Sequence, residues 1–178
     1  MDRFYTAKAP IDKDKTYLTD QLRFSVITNR ILRIERSLQN EFEDRATQKI
    51  MNRNFATVSF QVTEQEKEVI IKTPEAEFFV DKDSLQVEIK LVNYTVNADE
   101  VHYLGGTFRT LDNALGDKIL FGENKGRIKL SDSIFSLEGV AVIEDSASYL
   151  LEEDGTLSPR EEGVVDKYIL AFGKDYLG

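Results

Sequence analysis

Apolar and polar residues alternate along most of this chain, which is typical of strands that bury one face and expose the other. Phe24 and Val26, for example, are separated by Arg23 and Ser25. Short segments of this kind lie at residues 22–28, 31–36, 57–63, 69–72, 78–80, 85–91, 128–130, 140–143, 148–151 and 168–172. No segment of about 10–15 residues with helical periodicity lies between them. We therefore predict an all-β fold, an antiparallel β-sandwich with little helix.

Three segments depart from the alternation. Residues 6–20 mix Lys, Asp and Pro10 without apolar periodicity, so we predict an extended N-terminal segment over residues 1–20 and a sandwich domain over 21–178. Residues 39–54 approach helical spacing, but Asn52 and Asn54 favour an irregular crossover over a helix. Residues 113–126 contain three glycines, which indicates a long loop.

Composition excludes several classes of function. A length of 178 residues with 41% hydrophobic residues suits one globular domain, and the absence of Cys rules out disulfides and thiolate sites. No signal peptide or apolar run of roughly 18 residues is present, so we expect a cytoplasmic chain without membrane contact. The net charge of -9 argues against nucleic acid as a partner. His102 is the single histidine, which excludes a His-based metal cluster.

The charge is concentrated in residues 131–162, which hold nine Asp and Glu against Arg160. This region is either a solvated face or a surface that meets a basic one in a larger protein. Adjacent acids such as Glu43-Asp44, Glu144-Asp145 and Glu152-Glu153-Asp154 point to opposite faces if they lie on strands. We therefore predict turns or ion pairs for them rather than a catalytic carboxylate pair.

The stretch from Tyr103 to Asp112 combines the adjacent glycines Gly105-Gly106 with Arg109 and Asp112. A glycine pair allows positive φ or a close backbone approach, so the stretch is predicted to be a shaped loop. Arg109 and Asp112 have two possible roles. They pin the loop through charge-assisted hydrogen bonds, to each other or to Asp145, or they orient sugar hydroxyls at a concave surface.

This stretch is one of six that together resemble the N-terminal region of glycoside hydrolase family 31, the α-glucosidases and α-xylosidases. The other five are Arg23–Thr28, Phe42–Arg45, Asn52–Phe55, Asp145-Ser146 and Ala171–Tyr176. The resemblance implies a galactose-mutarotase-like supersandwich that precedes a catalytic (β/α)₈ barrel. It also implies a retaining parent enzyme that needs no cofactor and no metal.

In that family the nucleophilic Asp lies in a Trp-containing segment of the barrel. This chain has no Trp and nothing similar to the segment, so we expect no catalytic residue in it. The implied partners are the enzyme's own barrel domain and an α-linked oligosaccharide substrate. The crossover is expected to act as scaffold, with Phe42 and Phe55 as core anchors and Asp44, Arg45 and Arg53 satisfying buried backbone groups.

The resemblance also implies a loop that the sandwich lends to the rim of the barrel's active site, here within residues 112–140. Phe135–Val140 matches a Leu-Ser-Arg-Asp-Gly-Trp type of sequence in relatives, but Leu137 replaces the Arg and Val140 replaces the Trp. Glu138 keeps the acidic position and is our first choice for a sugar contact. The predicted substrate-binding residues are Glu138, Asp112, Arg109 and Phe135.

Two other classes of function fit the same pattern. A stand-alone carbohydrate-binding sandwich predicts exposed aromatic residues, for which the candidates are Tyr94, Tyr103 and Phe135. A plain interaction module predicts binding through a sheet face. If the chain instead belongs to a larger enzyme, the face near Ile169, Leu170 and Phe172 is expected to expose an apolar patch, whereas a self-sufficient module is expected to hide it.

Overall fold

A computed structural model describes residues 11–100, 108–110, 127–129 and 136–175, with the two three-residue stretches described by their backbone. Their strands are β1 (Thr16–Thr19), β2 (Leu22–Thr28), β3 (Ile31–Arg36), β4 (Gln61–Glu64), β5 (Glu68–Lys72), β6 (Glu77–Asp81), β7 (Val87–Lys90), β8 (Thr95–Asn97), β9 (Phe108–Thr110), β10 (Arg127–Lys129), β11 (Val140–Glu144), β12 (Leu150–Leu151), β13 (Leu157–Ser158) and β14 (Val165–Ala171). The helices described are two 3₁₀ turns, Lys13–Lys15 and Ala98–Glu100. The predicted all-β sandwich is therefore confirmed.

Two five-stranded antiparallel sheets form the sandwich. The first has the order β1-β2-β3-β14-β11, and the second is a meander in the order β4-β5-β6-β7-β8. Two small ladders, β9 with β10 and β12 with β13, lie outside these sheets. The strand late in the chain, β14, is inserted between β3 and β11, with Val165 opposite Arg36 and Leu170 opposite Ile31. This long-range pairing brings the two ends of the described chain into one sheet.

The core lies between the two sheets and follows from the alternation of apolar positions. Phe24, Ile34 and Ile169 of the first sheet meet Ile71 and Phe78 of the second, and all five side chains are fully buried. Because successive side chains on a strand point to opposite faces, each of these strands turns every second residue into this core. Burial of so much apolar surface is the main source of the stability of the sandwich.

Edge strands of the two sheets are also joined by polar contacts around Glu64. Its carboxylate accepts hydrogen bonds from Thr19 at 2.9 Å, from Lys82 at 2.6 Å and from the Tyr17 hydroxyl. Tyr17 and Thr19 belong to β1, while Glu64 ends β4. The predicted N-terminal extended segment, residues 1–20, thus contributes strand β1 to the first sheet.

The strand predictions hold with smaller adjustments. The strand predicted over residues 57–63 begins at Gln61, the one over 148–151 is reduced to Leu150–Leu151, and β8 was not predicted. The irregular crossover over residues 39–54 is confirmed, because it contains neither a helix nor a strand, and an isolated bridge joins its Thr47 to Leu150.

The apolar patch expected near Ile169, Leu170 and Phe172 is not exposed. Ile169 is fully buried in the core, and Leu170 and Phe172 are half-buried. The alternation of β14 explains the burial of Ile169, since this position points between the sheets. In the described ranges, no helix is long and apolar enough to cross a membrane.

Candidate functional site

Glu138 lies in a tight turn that leads into β11. The Ser136 N–H donates to the Val140 carbonyl at 2.9 Å, and the Gly139 N–H donates to the Ser136 carbonyl at 3.1 Å. The Ser136 hydroxyl accepts a further hydrogen bond from the Val140 N–H at 3.2 Å. These bonds fix the backbone on both sides of Glu138, whose side chain is half-buried.

The turn is docked on the chain that follows β14. The N–H groups of Phe172 and Gly173 both donate to the Gly139 carbonyl, at 3.0 and 2.9 Å. Gly139 has a φ of +73°, and a Cβ there would lie 1.5 Å from the Gly173 carbonyl oxygen. The Tyr94 hydroxyl donates to the Glu138 carbonyl at 2.8 Å. Glu138 is therefore presented by a backbone that is held from three sides.

Tyr94 was one of the aromatic residues proposed for stacking on sugars. Its hydroxyl is used to hold the Glu138 turn, and its side chain is half-buried against Gly173. Tyr94 is therefore not an exposed platform. The other two aromatic candidates, Tyr103 and Phe135, lie outside the described residues.

Of the remaining substrate-binding candidates, Arg109 lies in β9, where it pairs with Ile128 of β10. Its backbone is described, but its side chain is not. Asp112 and Phe135 lie outside the described residues. Because the structure describes neither Asp112 and Phe135 nor the side chain of Arg109, it does not test whether these residues lie near Glu138, and the set of four remains a prediction.

A second cluster of functional groups lies on the face of the first sheet that points away from the core. Register places Arg23, Glu35 and Asp166 side by side across β2, β3 and β14, and it places Arg33 beside Tyr168 in the next row. All five residues are buried. We call these five residues, together with Arg53, Asp145 and Arg160, the charged layer.

The carboxylates of the charged layer are held by arginine side chains. Arg33 donates to both Asp166 oxygens, at 2.9 and 2.6 Å, and Arg23 donates to both Glu35 oxygens, at 2.6 and 3.0 Å. Arg160 adds a bond of 2.6 Å to Asp166. Such bidentate pairs are stronger and more directional than single contacts. The layer is therefore a rigid network in which each buried carboxylate has a cationic partner.

Burial raises the pKa of each acidic group in this network, but the net shift differs between the groups. Burial opposes ionisation of Asp166, but hydrogen bonds from Arg33 and Arg160 outweigh it and hold the pKa of this carboxyl below its ordinary value. For Glu35 burial is the larger effect, so its pKa is raised although Arg33 and Arg23 favour the ionised form. Burial also raises the pKa of the Tyr168 hydroxyl.

The crossover forms a cover over the charged layer. Arg53 donates to the carbonyls of Asp44 and Arg45, at 3.2 and 3.0 Å, and to the Tyr168 hydroxyl at 2.6 Å. Arg33 reaches the Glu43 carbonyl at 2.9 Å. The predicted role of Arg53, in satisfying buried backbone groups, is confirmed.

Other expectations for the crossover were wrong. Phe55 is 44% exposed and is not a core anchor, and Phe42 is half-buried beneath the Arg23 guanidinium, 5.0 Å from its ring centroid. Asp44 and Arg45 form ion pairs through their side chains instead of satisfying buried backbone groups. The crossover is short of apolar residues, so polar contacts to the charged layer hold it in place.

Most of the adjacent acids lie in turns or ion pairs, as predicted, whereas Glu144 is the last residue of β11. Glu43 and Glu152 both pair with Arg45, at 2.7 and 2.8 Å, and Asp44 pairs with Arg23 at 2.8 Å. The Thr47 hydroxyl donates its one hydrogen to the Asp145 carboxylate and lies 2.9 Å from both carboxylate oxygens. The described ranges contain no group of three His, Cys, Asp or Glu side chains that could hold a metal ion.

Sequence reasoning did not identify the charged layer, although one feature pointed to it. Arg33 and Glu35 are two residues apart in a predicted strand whose other face is apolar, so both were bound to lie on the same side. The partners Asp166 and Arg160 lie more than one hundred positions later in the chain. Their contribution depends on the insertion of β14 beside β3.

Comparisons with known proteins give little further information. No protein-family model matches the chain, and no curated protein matches it. Among solved structures, the crystal structure of a family 31 glycoside hydrolase, an α-xylosidase from Xanthomonas citri, matches at 14% identity with a TM-score of 0.35. The match covers 77% of this chain and 14% of that chain. At this TM-score the likeness does not establish a shared family or activity.

Proposed function

We propose that this chain is a non-catalytic β-sandwich domain of a retaining α-glycosidase of the α-glucosidase type. In this proposal the sandwich packs on a catalytic (β/α)₈ barrel in the cytoplasm and lends a loop to the rim of the active site. The observation that carries the proposal is the convergence of the family-like motifs in space.

Four of the six motifs meet in or over the charged layer. Arg23 comes from the motif Arg23–Thr28, the Glu43 and Asp44 contacts from Phe42–Arg45, Arg53 from Asn52–Phe55, and Asp145 from Asp145-Ser146. The Phe42–Arg45 motif bonds to the side chains of Arg23 and Arg53, and Asp145, from much later in the chain, joins the layer through Arg160. This convergence supports the view that the resemblance follows a structural unit rather than scattered coincidences.

The contacts of the acids support a non-catalytic role. Retaining glycoside hydrolysis needs two carboxyl groups roughly 5–5.5 Å apart on either side of the glycosidic bond. Glu35 and Asp166 are instead buried beneath the cover and paired with arginines. We therefore assign the chemistry to the barrel and assign recognition at the rim to Glu138, Asp112, Arg109 and Phe135, which we propose contact an α-linked oligosaccharide.

The first test is to read the coding sequence beyond Gly178 and to assay the purified chain. We expect a barrel with a Trp-containing segment that carries the nucleophilic Asp, and we expect no turnover of aryl α-glucosides or α-xylosides by the chain alone. A stop codon directly after Gly178, an unrelated following domain, or turnover by the isolated chain would each contradict the proposal.

In the full enzyme, Glu138→Gln tests the rim contact. Loss of a hydrogen bond to a charged group costs about 1.5–3 kcal/mol, so kcat/KM is expected to fall roughly 10- to 100-fold. Leu137→Ala is the matched control, because Leu137 lies in the same turn with its side chain 52% exposed. Equal activity of the two variants would remove Glu138 from the site and leave the domain assignment intact.

A further inference from the structure

An open groove lies between the segment that follows β11 and the segment that precedes β14. The groove has a volume of about 400 Å³ and is formed by Ser146, Ala147, Tyr149 and residues 159–164. We call it the Tyr149 groove. It lies beyond the end of β11 opposite to the Glu138 turn, and five residues of strand, roughly 17 Å, separate the two. The groove is therefore distinct from the Glu138 turn.

Tyr149 presents an aromatic ring at this groove, and its side chain is 51% exposed. The backbone below the ring is fixed: the Tyr149 carbonyl accepts from the Gln48 N–H at 2.9 Å, and the next residue, Leu150, pairs with Ser158 and Thr47. An exposed aromatic ring on a rigid support is a favourable platform for the apolar face of a pyranose, because its orientation costs little entropy on binding.

The rest of the groove supplies polar groups on a rigid floor. Glu161 and Glu162 are exposed and offer carboxylate oxygens that accept hydrogen bonds from hydroxyl groups. Arg160 lies beneath them and is held by the Asp145 carbonyl at 2.9 Å and by Asp166 at 2.6 Å. Gly163 has a φ of +83° and faces open space. An aromatic ring and carboxylate acceptors in one groove suit a polyhydroxylated ligand.

We propose that the Tyr149 groove is a second saccharide-binding site, which takes a neutral pyranose that stacks on Tyr149 and donates hydroxyl hydrogen bonds to Glu161 and Glu162. The two carboxylates disfavour anionic sugars through like-charge repulsion. We further expect this site to prefer α-linked glucosides, an expectation that rests on the proposed function. In a glycosidase, such a site holds the substrate chain at a distance from the reacting bond.

The test is a titration of the isotopically labelled chain, followed by NMR. Maltose and isomaltose at about 10 mM, where a site of millimolar affinity is close to saturation, are expected to shift amide signals of residues 146–149 and 160–164. Sodium glucuronate is expected to leave these signals unchanged. Tyr149→Ala is expected to weaken binding roughly tenfold, while Tyr149→Phe keeps the ring and stays within about twofold of the parent chain.

A second variant covers the case in which Tyr149→Ala fails to fold. Gly163→Asn adds a side chain in the open space of the groove, and Asn tolerates a positive φ better than other residues do. We expect it to block the maltose shifts and to keep the rest of the spectrum. Absence of shifts with both sugars, or shifts that neither Tyr149→Ala nor Gly163→Asn changes, would overturn the site. A barrel encoded after Gly178 together with absent shifts would remove this site alone and leave the proposed function standing.

Discussion

Gly139 has no room for a side chain. Its carbonyl receives hydrogen bonds from two backbone N–H groups, and its Cα lies against the Gly173 carbonyl. Both glycines have positive φ values, +73° and +60°. The close approach of two backbones is what allows the Glu138 turn to dock on the end of β14, so the orientation of Glu138 depends on these glycines.

We predict that Gly139→Ala destabilises the chain by more than about 3 kcal/mol, because the added Cβ overlaps a backbone oxygen in addition to the cost of positive φ. Gly163→Ala is the matched control. It has a similar φ but open space around the Cβ, so we expect a cost of about 1–2 kcal/mol. Urea unfolding measures both values, and equal losses would show that the contact with Gly173 is unimportant.

Residue identity alone could not assign these roles. Glu138 was predicted from its position in a motif. Its docking partners, Tyr94 and Gly173, are given only by the tertiary structure. Tyr94 in particular was predicted to be a sugar-stacking residue, and the structure uses its hydroxyl in a backbone contact. An aromatic side chain fits either role, and the neighbouring backbone decides between them.

Among the elements, β1 shows why an edge strand escapes prediction from periodicity. Thr16 to Thr19 pair with β2 in a regular antiparallel register, but none of the four residues is fully buried. Without a buried face there is no alternation of apolar and polar residues to detect. Its place in the sheet depends on β2 and on the contacts of Tyr17 and Thr19 with Glu64.

We predict that a chain beginning at Gln21 is less stable than one beginning at Ile11. The shorter chain loses β1, the packing of Tyr17 against Phe24 and the bonds to Glu64. The free energy of unfolding is expected to fall by about 2 kcal/mol, the contribution of a half-buried aromatic residue with its contacts. This loss lowers Tm by roughly 4–8 °C. Thermal unfolding followed by circular dichroism measures it. Identical Tm values would mean that β1 is an accessory to the sandwich.

Across the whole molecule, the first sheet separates two interiors of opposite character. One face packs an apolar core against the second sheet, and the other face carries the charged layer beneath its cover. Buried ion pairs gain little net stability over apolar residues, but breaking one of them leaves an uncompensated charge. The layer therefore contributes to the specificity of strand order, since β2, β3 and β14 must all be in register to complete it.

We predict that Asp166→Asn costs about 3–5 kcal/mol, because it removes the charge that neutralises the buried Arg33 and Arg160. Arg45→Met serves as control. It breaks ion pairs whose arginine is 48% exposed, for which a loss of about 0–1 kcal/mol is expected. Chemical unfolding of both variants at neutral pH gives the comparison. A loss for Asp166→Asn as small as that for Arg45→Met would refute a structural role for the layer.

The Asp166 carboxyl also makes the stability of the folded chain depend on pH. Since the folded-state pKa of Asp166 lies below its ordinary value of 3.8, its stabilisation is fully present above pH 3.8 and is lost as the pH falls through the folded-state value. Glu35, with a raised pKa, acts in the opposite sense, and its contribution declines as the pH rises above 4.5. We expect the slope of unfolding free energy below pH 3.8 to be smaller in Asp166→Asn than in the parent chain. Equal slopes would contradict the assignment.

The amino-acid sequence by itself determined the class of fold and the strand pattern of the core. The alternation of apolar and polar residues is a local pattern, so it identifies the inward-facing side chains of each strand separately. Phe24, Ile34, Ile71 and Phe78 are examples. The irregular crossover and the ion-pair roles of adjacent acids were also predictable, because turn chemistry and the abundance of surface charge are visible locally.

Tertiary structure alone decided the sheet order, the charged layer, the docking of Gly139 on Gly173 and the Tyr149 groove. Each of these joins residues that are far apart in the chain, and no periodicity specifies which distant strand lies beside β3. Arg33 is a surface residue in any local description of β3. It becomes a buried ion-pair partner because β14 places Asp166 beside it and the crossover closes above.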